Sequence, residues 1–227
     1  MSEEIPTRRH KLNEIPGLRR PVDDARIELA AQLRAAIDEL VHSSAEPSTL
    51  AEVGQLIDAA RRVLSEATAQ NNERSGAEAI TAMEQSLQRG ERLIQARPTF
   101  HVYGPFSGAL NPVAPPIQLR IVDDCVVGEV IYSAIYEGPP GHVHGGVIAG
   151  GFDEVLGYLQ LHSERPGLTG KLSVAYRRPT PLNEPLVYRA WIDQIDGRKV
   201  HASSELTVAA SGVRCATAEG MFVAVRR

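Results

Sequence analysis

Residues 138–160 constrain this chain more than any other stretch. They open with Gly138, Pro139, Pro140 and Gly141, which force a bend and include two prolines without a backbone N–H. From about Gly146 the side chains Val147, Ile148, Phe152, Val155, Leu156 and Leu159 lie on nearly every side of a helical projection, and Asp153 and Glu154 are the only charges. A helix that is apolar all round lies in a core or in a membrane. This one is shorter than the ~20 residues a membrane span requires. The reading is therefore a buried central helix whose N-terminus is opened by glycines. Free amides and the positive dipole end at such a terminus suit an oxyanion.

The surrounding pattern supplies the sheet that such a helix needs. A period of two runs through residues 117–123 and 126–136 before the helix, and through 171–178, 185–195, 198–210 and 213–225 after it. Asp123-Asp124, Asp196-Gly197 and Ser211-Gly212 fall at the turns. Pro179 and Pro181 stop the third strand, and Gly220 reads as a bulge or tight bend. Short links of this kind favour an antiparallel sheet wrapped about the helix, an α+β arrangement that buries both elements.

The first half reads differently. Residues 1–97 form a polar tail and a helical extension, and residues 98–116 a proline-rich connector, ahead of the main domain at 117–227. In the extension, Ile27, Leu33, Ile37, Leu40 and Val41 recur at helical spacing. A second helix is expected from Ser48 or Thr49, where Thr49 and Glu52 match a capping box, with a stripe of Leu50, Val53, Leu56, Ile57, Ala60, Val63 and Leu64. A third is expected from Ser75 to Pro98, with Ile80, Met83, Leu87, Leu93 and Ile94 as its stripe. These stripes are expected to bury against each other or against the main domain. No chemical motif appears here, which favours a packing or oligomerisation role. The connector, with Phe100, Tyr103, Phe106, Leu110 and Val113, is expected to pack on the main domain and to shape its pocket.

Charge narrows the function classes. With 24 Lys and Arg against 28 Asp and Glu, the chain lacks the basic excess of a nucleic-acid binder. The basic residues at the N-terminus are interleaved with Glu3, Glu4 and Glu14. A charged start without an apolar core and the lack of any long apolar run lead to the expectation of a soluble, cytoplasmic protein. Cys125 and Cys215 both read as buried free thiols within strands.

The chemistry concentrates on His144-Gly145-Gly146 and Asp153. Glycines let a substrate approach the backbone closely. The amide of Gly145 or Gly146 can then hydrogen-bond a carbonyl oxygen that turns negative during attack. Asp153 is the candidate base or nucleophile, and Glu154, pointing about 100° away, a spare candidate. Gly146 and Asp153 lie on one helix face, ~10 Å apart along the axis. Attack needs reacting atoms ~3–3.5 Å apart, so one helix does not deliver both groups to one carbonyl. Two antiparallel helices in a symmetric pair do, which predicts a homodimer with composite sites.

His144-Gly145-Gly146 with Asp153, then Thr169, then Tyr176-Arg177-Arg178-Pro179-Thr180-Pro181-Leu182, resembles the hotdog-fold acyl-CoA thioesterases of the phenylacetate-degradation type. The resemblance covers about residues 117–225. It implies a hotdog fold, subunits paired sheet to sheet as a homodimer or a dimer of dimers, and hydrolysis of an acyl-CoA without a metal. Coenzyme A would enter only as part of the substrate. Gly146 N–H would polarise the thioester carbonyl. Asp153 of the other subunit would act as general base or as nucleophile through an anhydride. Thr169 would position the water, and His144 would orient the loop or contact the thioester.

His142 reads as a rim residue, and Tyr158 and Trp191 as core or interface. Gly145 adds backbone contact to substrate, and Arg177 and Arg178 are candidate clamps for the coenzyme A phosphates. Two other functions stand beside hydrolysis. One is an acyl-thioester hydratase or dehydratase on the same fold. The other is a non-catalytic acyl-CoA-binding protein.

Overall fold

The computed structural model describes residues 21–69, 103–162 and 167–224. Its centre is one helix, α3 (Gly145–His162), laid against a six-stranded antiparallel sheet. The strands are β1 (Gln118–Val122), β2 (Cys125–Ile131), β3 (Gly167–Tyr176), β4 (Pro185–Asp196), β5 (Lys199–Val208) and β6 (Arg214–Ala224), in the order β1-β2-β4-β5-β6-β3. This is the antiparallel sheet about a central helix that the period change implies, and the hotdog arrangement that the resemblance implies. The turns fall where expected: Asp123 (φ 55°), Gly197 (φ 54°) and Gly212 (φ 67°) take the left-handed backbone that tight hairpins demand.

The core is the layer between α3 and the sheet. Ile148, Phe152, Val155, Leu156 and Leu159 are buried against Val126, Tyr188, Val200, Leu206 and Phe222. Each of these large apolar side chains contributes about 1.5–3 kcal/mol on leaving water. Gly151 is buried on the sheet side of α3, and a Cβ there would lie 2.4 Å from the Tyr188 hydroxyl. That hydroxyl is 2.9 Å from the Tyr132 hydroxyl in the dry interior. Burial raises both phenol pKa values well above their ordinary range.

Several expectations are corrected. Strand β2 stops at Ile131 rather than continuing to Tyr136, because residues 134–136 turn into a short 3-10 helix that leads into the glycine loop. Gly220 is not a bulge: it stays in register with Leu172 and Ala202, and its missing side chain instead makes room for Phe222 and Leu156. The bulge next to it in space lies on β3, between Thr169 and Lys171. Cys215 is buried but Cys125 is only half-buried, near a sheet end, and both are free thiols. Central helix α3 is not covered all round by its own chain, since Gly146 and Asp153 are exposed. One sheet has one concave face, and it covers only one side of the helix.

The extension begins with α1 (Pro21–His42) and α2 (Pro47–Ala69). Helix α2 opens at Pro47, whose fixed φ suits the first helical position, so Thr49 lies inside the first turn and does not cap it. Helix α1 is tied to the connector by Arg34, whose guanidinium donates to the carbonyls of Ala114 (2.9 Å) and Asn111 (3.0 Å). Ala30 is its buried residue. The expected burial of the α2 stripe is not found among the described residues: Leu56 is 66% and Val63 67% exposed. The expected third helix lies outside the described residues. No described helix is long and apolar enough to cross a membrane.

Candidate active site

The site begins with the loop that precedes α3. Gly141 N–H donates to the Glu137 carboxylate (2.6 Å), Gly138 N–H to the His142 carbonyl (2.9 Å) and Val143 N–H to the Thr180 carbonyl (2.9 Å). Gly141 takes φ 74°, the turn that the two prolines set up. A side chain at Gly138 would meet His144 Cα at 2.7 Å, so the loop folds tightly under His144. His142 is half-buried, with Nδ1 2.8 Å from the Pro140 carbonyl, and stays at the rim as expected.

His144 is the residue just before α3, and it organises the first turn. Its N–H donates to the Tyr136 carbonyl (2.9 Å), and its carbonyl accepts from Val147 (3.0 Å) and Ile148 (3.2 Å). Its ring Nδ1 accepts from Gly146 N–H at 3.0 Å. An acceptor Nδ1 puts the proton of the neutral ring on Nε2. The Gly146 amide, the expected oxyanion donor, is therefore engaged by the His144 ring. The amide left without a partner among the described residues is that of Gly145. It shares its peptide group with the His144 carbonyl. Two hydrogen bonds to that carbonyl polarise the group and strengthen the remaining N–H as a donor.

Asp153 stands two turns further along, on the face of α3 that the sheet leaves open. Thr169 Oγ1 donates to its Oδ1 at 3.1 Å. The β3 bulge explains this meeting. Leu172 and Val174 face the core, so alternation alone would send Thr169 to the other side of the sheet. The slip between Thr169 and Lys171 returns it to the helix side. Gln160 fixes the start of the strand: its amide nitrogen donates to the Gly167 carbonyl (2.8 Å) and its amide oxygen accepts from Gly167 N–H (2.7 Å).

The far end of the same strand reaches the helix N-terminus, where the Tyr176 hydroxyl donates to the Gly145 carbonyl at 2.7 Å. The connector covers a neighbouring strip of α3. The Phe106 ring lies on Gly150, and the Ser107 hydroxyl donates to the Glu154 carboxylate. Glu154 is thus tied to the connector, in keeping with a structural part. Arg177 and Arg178 follow β3 with exposed side chains, and both backbone amides bond the Cys215 carbonyl (2.8 and 3.0 Å). Arg178 lines an open cavity with His142 and Glu184.

The structure thus brings Thr169 to Asp153, and His144 to Gly146, as two separate clusters. Gly145 and Asp153 are eight positions apart on one helix, an axial separation of ~12 Å. Sequence reasoning missed the Tyr176 contact, the Gln160 clamp and the bulge. Tyr176 shares the parity of Leu172 and Val174, which is the one signal that places it on the helix side.

Residues 140–215 match the thioesterase superfamily. A crystal structure of a thioesterase superfamily protein superposes with a TM-score of 0.71 at 31% identity, covering 87% of this chain and 90% of that one. The acyl-coenzyme A thioesterase THEM4 of Xenopus laevis is 36% identical over 70 residues, 31% of this chain and 32% of that protein. Its counterpart from Mus musculus is 37% identical over 67 residues, 30% of this chain and 29% of that protein. The match therefore spans about a third of the length of these curated relatives.

Proposed function

The chain belongs to the thioesterase superfamily, and on that premise we propose that it hydrolyses an acyl-CoA thioester at sites shared between two subunits. The observation that carries this reading is the pair of separated clusters on α3. A carboxylate bonded by Thr169 lies on the helix face that the sheet leaves uncovered, and a free amide lies ~12 Å away along the same helix. The outer edge of β3, with Leu168 72% exposed, is unpaired among the described residues and borders that face. Pairing two such edges brings two α3 helices side by side and antiparallel, with the amide of one opposite the carboxylate of the other.

In this reading the thioester carbonyl accepts from Gly145 N–H. Thr169 occupies Asp153 Oδ1 and leaves Oδ2 to take a proton from water as the water oxygen attacks the carbonyl carbon. The tetrahedral oxyanion is held by the Gly145 amide. Its collapse breaks the C–S bond, and the departing thiolate takes the proton back. The His144 ring holds the loop and presents Nε2–H toward solvent, and Arg177 and Arg178 offer charge for phosphates.

The test has two arms. First, a panel of straight-chain and aromatic acyl-CoAs is assayed for free thiol. Asp153→Asn is expected to lower kcat by ~10²–10⁴-fold, the usual share of a general base. Second, Asp153→Asn subunits are mixed with Gly145→Pro subunits, each inactive alone. A mixed dimer holds one intact and one doubly broken site, so random exchange restores about a quarter of wild-type activity. No recovery after verified exchange would mean that each subunit works alone. Hydration of enoyl-CoA without thiol release would instead favour the hydratase reading.

A further inference from the structure

We propose that Tyr176 is a positioning residue for the oxyanion site: by bonding the Gly145 carbonyl it fixes the direction of the Gly145 amide. This rests on the thioesterase reading and deepens it. The peptide group between Gly145 and Gly146 is gripped at both ends. Its carbonyl accepts from the Tyr176 hydroxyl at 2.7 Å, and its N–H donates to His144 Nδ1 at 3.0 Å. The preceding peptide group carries the free amide and is held by the two bonds to the His144 carbonyl. Gly145 is the joint between these groups. A glycine joint followed by a second glycine has wide conformational freedom, so a restraint from outside the loop adds to the bonds made within it.

Tyr176 supplies that restraint. Its ring lies over Gly145, where a Cβ would sit 3.4 Å from the ring Cζ and from the hydroxyl. The tyrosine itself is 53% exposed, so core packing is not what demands an aromatic there. Its strand is the one that ends beside Asp153 at Thr169, so one element sets both clusters. The hydrogen bond also polarises the Gly145–Gly146 peptide and strengthens the bond from Gly146 N–H to His144 Nδ1. Small errors in the placement of such a donor are costly, since ~1 Å lowers rates by ~10²-fold.

The decisive variant is Tyr176→Phe, which removes one oxygen and keeps the ring. The expected result is a fall in kcat of ~10-fold with KM within ~2-fold, because the oxyanion forms only in the transition state. A ketone analogue of the best acyl-CoA substrate, with methylene in place of sulfur and fluorines beside the carbonyl so that it binds as a tetrahedral adduct, binds more weakly to the variant. A thioether analogue without the carbonyl binds unchanged. Unchanged kcat overturns the proposal, as does equal weakening of both analogues, which would mark a general contact or a folding effect. A readout independent of turnover is the Gly146 amide resonance in a ¹H–¹⁵N spectrum. It is expected to shift and to lose exchange protection in Tyr176→Phe, and a resonance that does not move overturns the proposal. If the wild type cleaves no acyl-CoA in the panel, the thioesterase reading fails, and this spectrum still decides whether Tyr176 pins the loop.

Discussion

In the proposed mechanism Gly145 is the residue on which the chemistry turns, and its place permits an unusually clean test. It is the first residue of α3, a position where proline is well tolerated because its fixed φ suits a helix start and its missing N–H is unused by the helix. Gly145→Pro therefore removes the candidate oxyanion donor and little else. The expectation is a thermal midpoint within a few degrees of wild type and a kcat lowered by ~10²–10³-fold. Retained activity would return the role to Gly146. The sequence made His144, Gly145, Gly146 and Asp153 legible as a group, because glycines before an apolar helix and a carboxylate inside it have few structural uses. Which amide is free was not legible. That depends on the rotamer of the His144 ring, which no spacing encodes. The pairing of Thr169 with Asp153 depends likewise on a bulge at Gly170, a residue whose strand neighbours give no warning of it.

Among the elements, α3 and its strands were legible because their periods are strong and their turns use Asp and Gly. The surroundings of α3 show what periodicity leaves out. Its glycines look alike in sequence and differ in what they face. A methyl at Gly151 would lie 2.4 Å from the Tyr188 hydroxyl and 2.9 Å from that of Tyr132, whereas one at Gly157 meets nothing within 4 Å of its own chain. Replacing a helical glycine by alanine gains about 0.8–1 kcal/mol of propensity, and overpacking a core costs about 1–3 kcal/mol. Gly151→Ala is thus expected to lower stability by up to about 2 kcal/mol net in a denaturant titration. Gly157→Ala is expected to raise that of the dilute single chain by up to about 1 kcal/mol. Equal shifts in the two variants would mean that the Gly151 seat yields easily. Helices α1 and α2 of the extension were legible as helices and not as packing. An amphipathic stripe states that something covers it, and the identity of the cover is long-range information.

At the scale of the whole molecule, the interior depends on keeping phenols neutral. The chain has six tyrosines. Burial raises the pKa of Tyr132 and Tyr188, and pushes Tyr136 up to about 12 from 10.0. In the unfolded chain these phenols lose their protons near pH 10, while the folded chain still holds them. Their contribution is therefore complete below pH 10 and is lost as pH rises above it, for Tyr136 through about 12. Absorbance of tyrosinate near ~295 nm should show these tyrosines ionising together with unfolding, later than exposed tyrosines do. Ionisation of every tyrosine ahead of the loss of structure would contradict the buried pair. The proposed two-subunit assembly is written in the sequence only through reach along one helix, and the open face of α3 beside a β3 edge that is unpaired among the described residues is the feature that supports it.

Strand β3 touches α3 near both of its ends, through Thr169 and through Tyr176. In a symmetric pair those two contacts serve different reaction centres, since each centre combines the carboxylate of one chain with the amide of the other. Every β3 would then act as a ruler laid across two workbenches. A change midway along it, at Ser173 for example, would disturb both centres together although it touches neither.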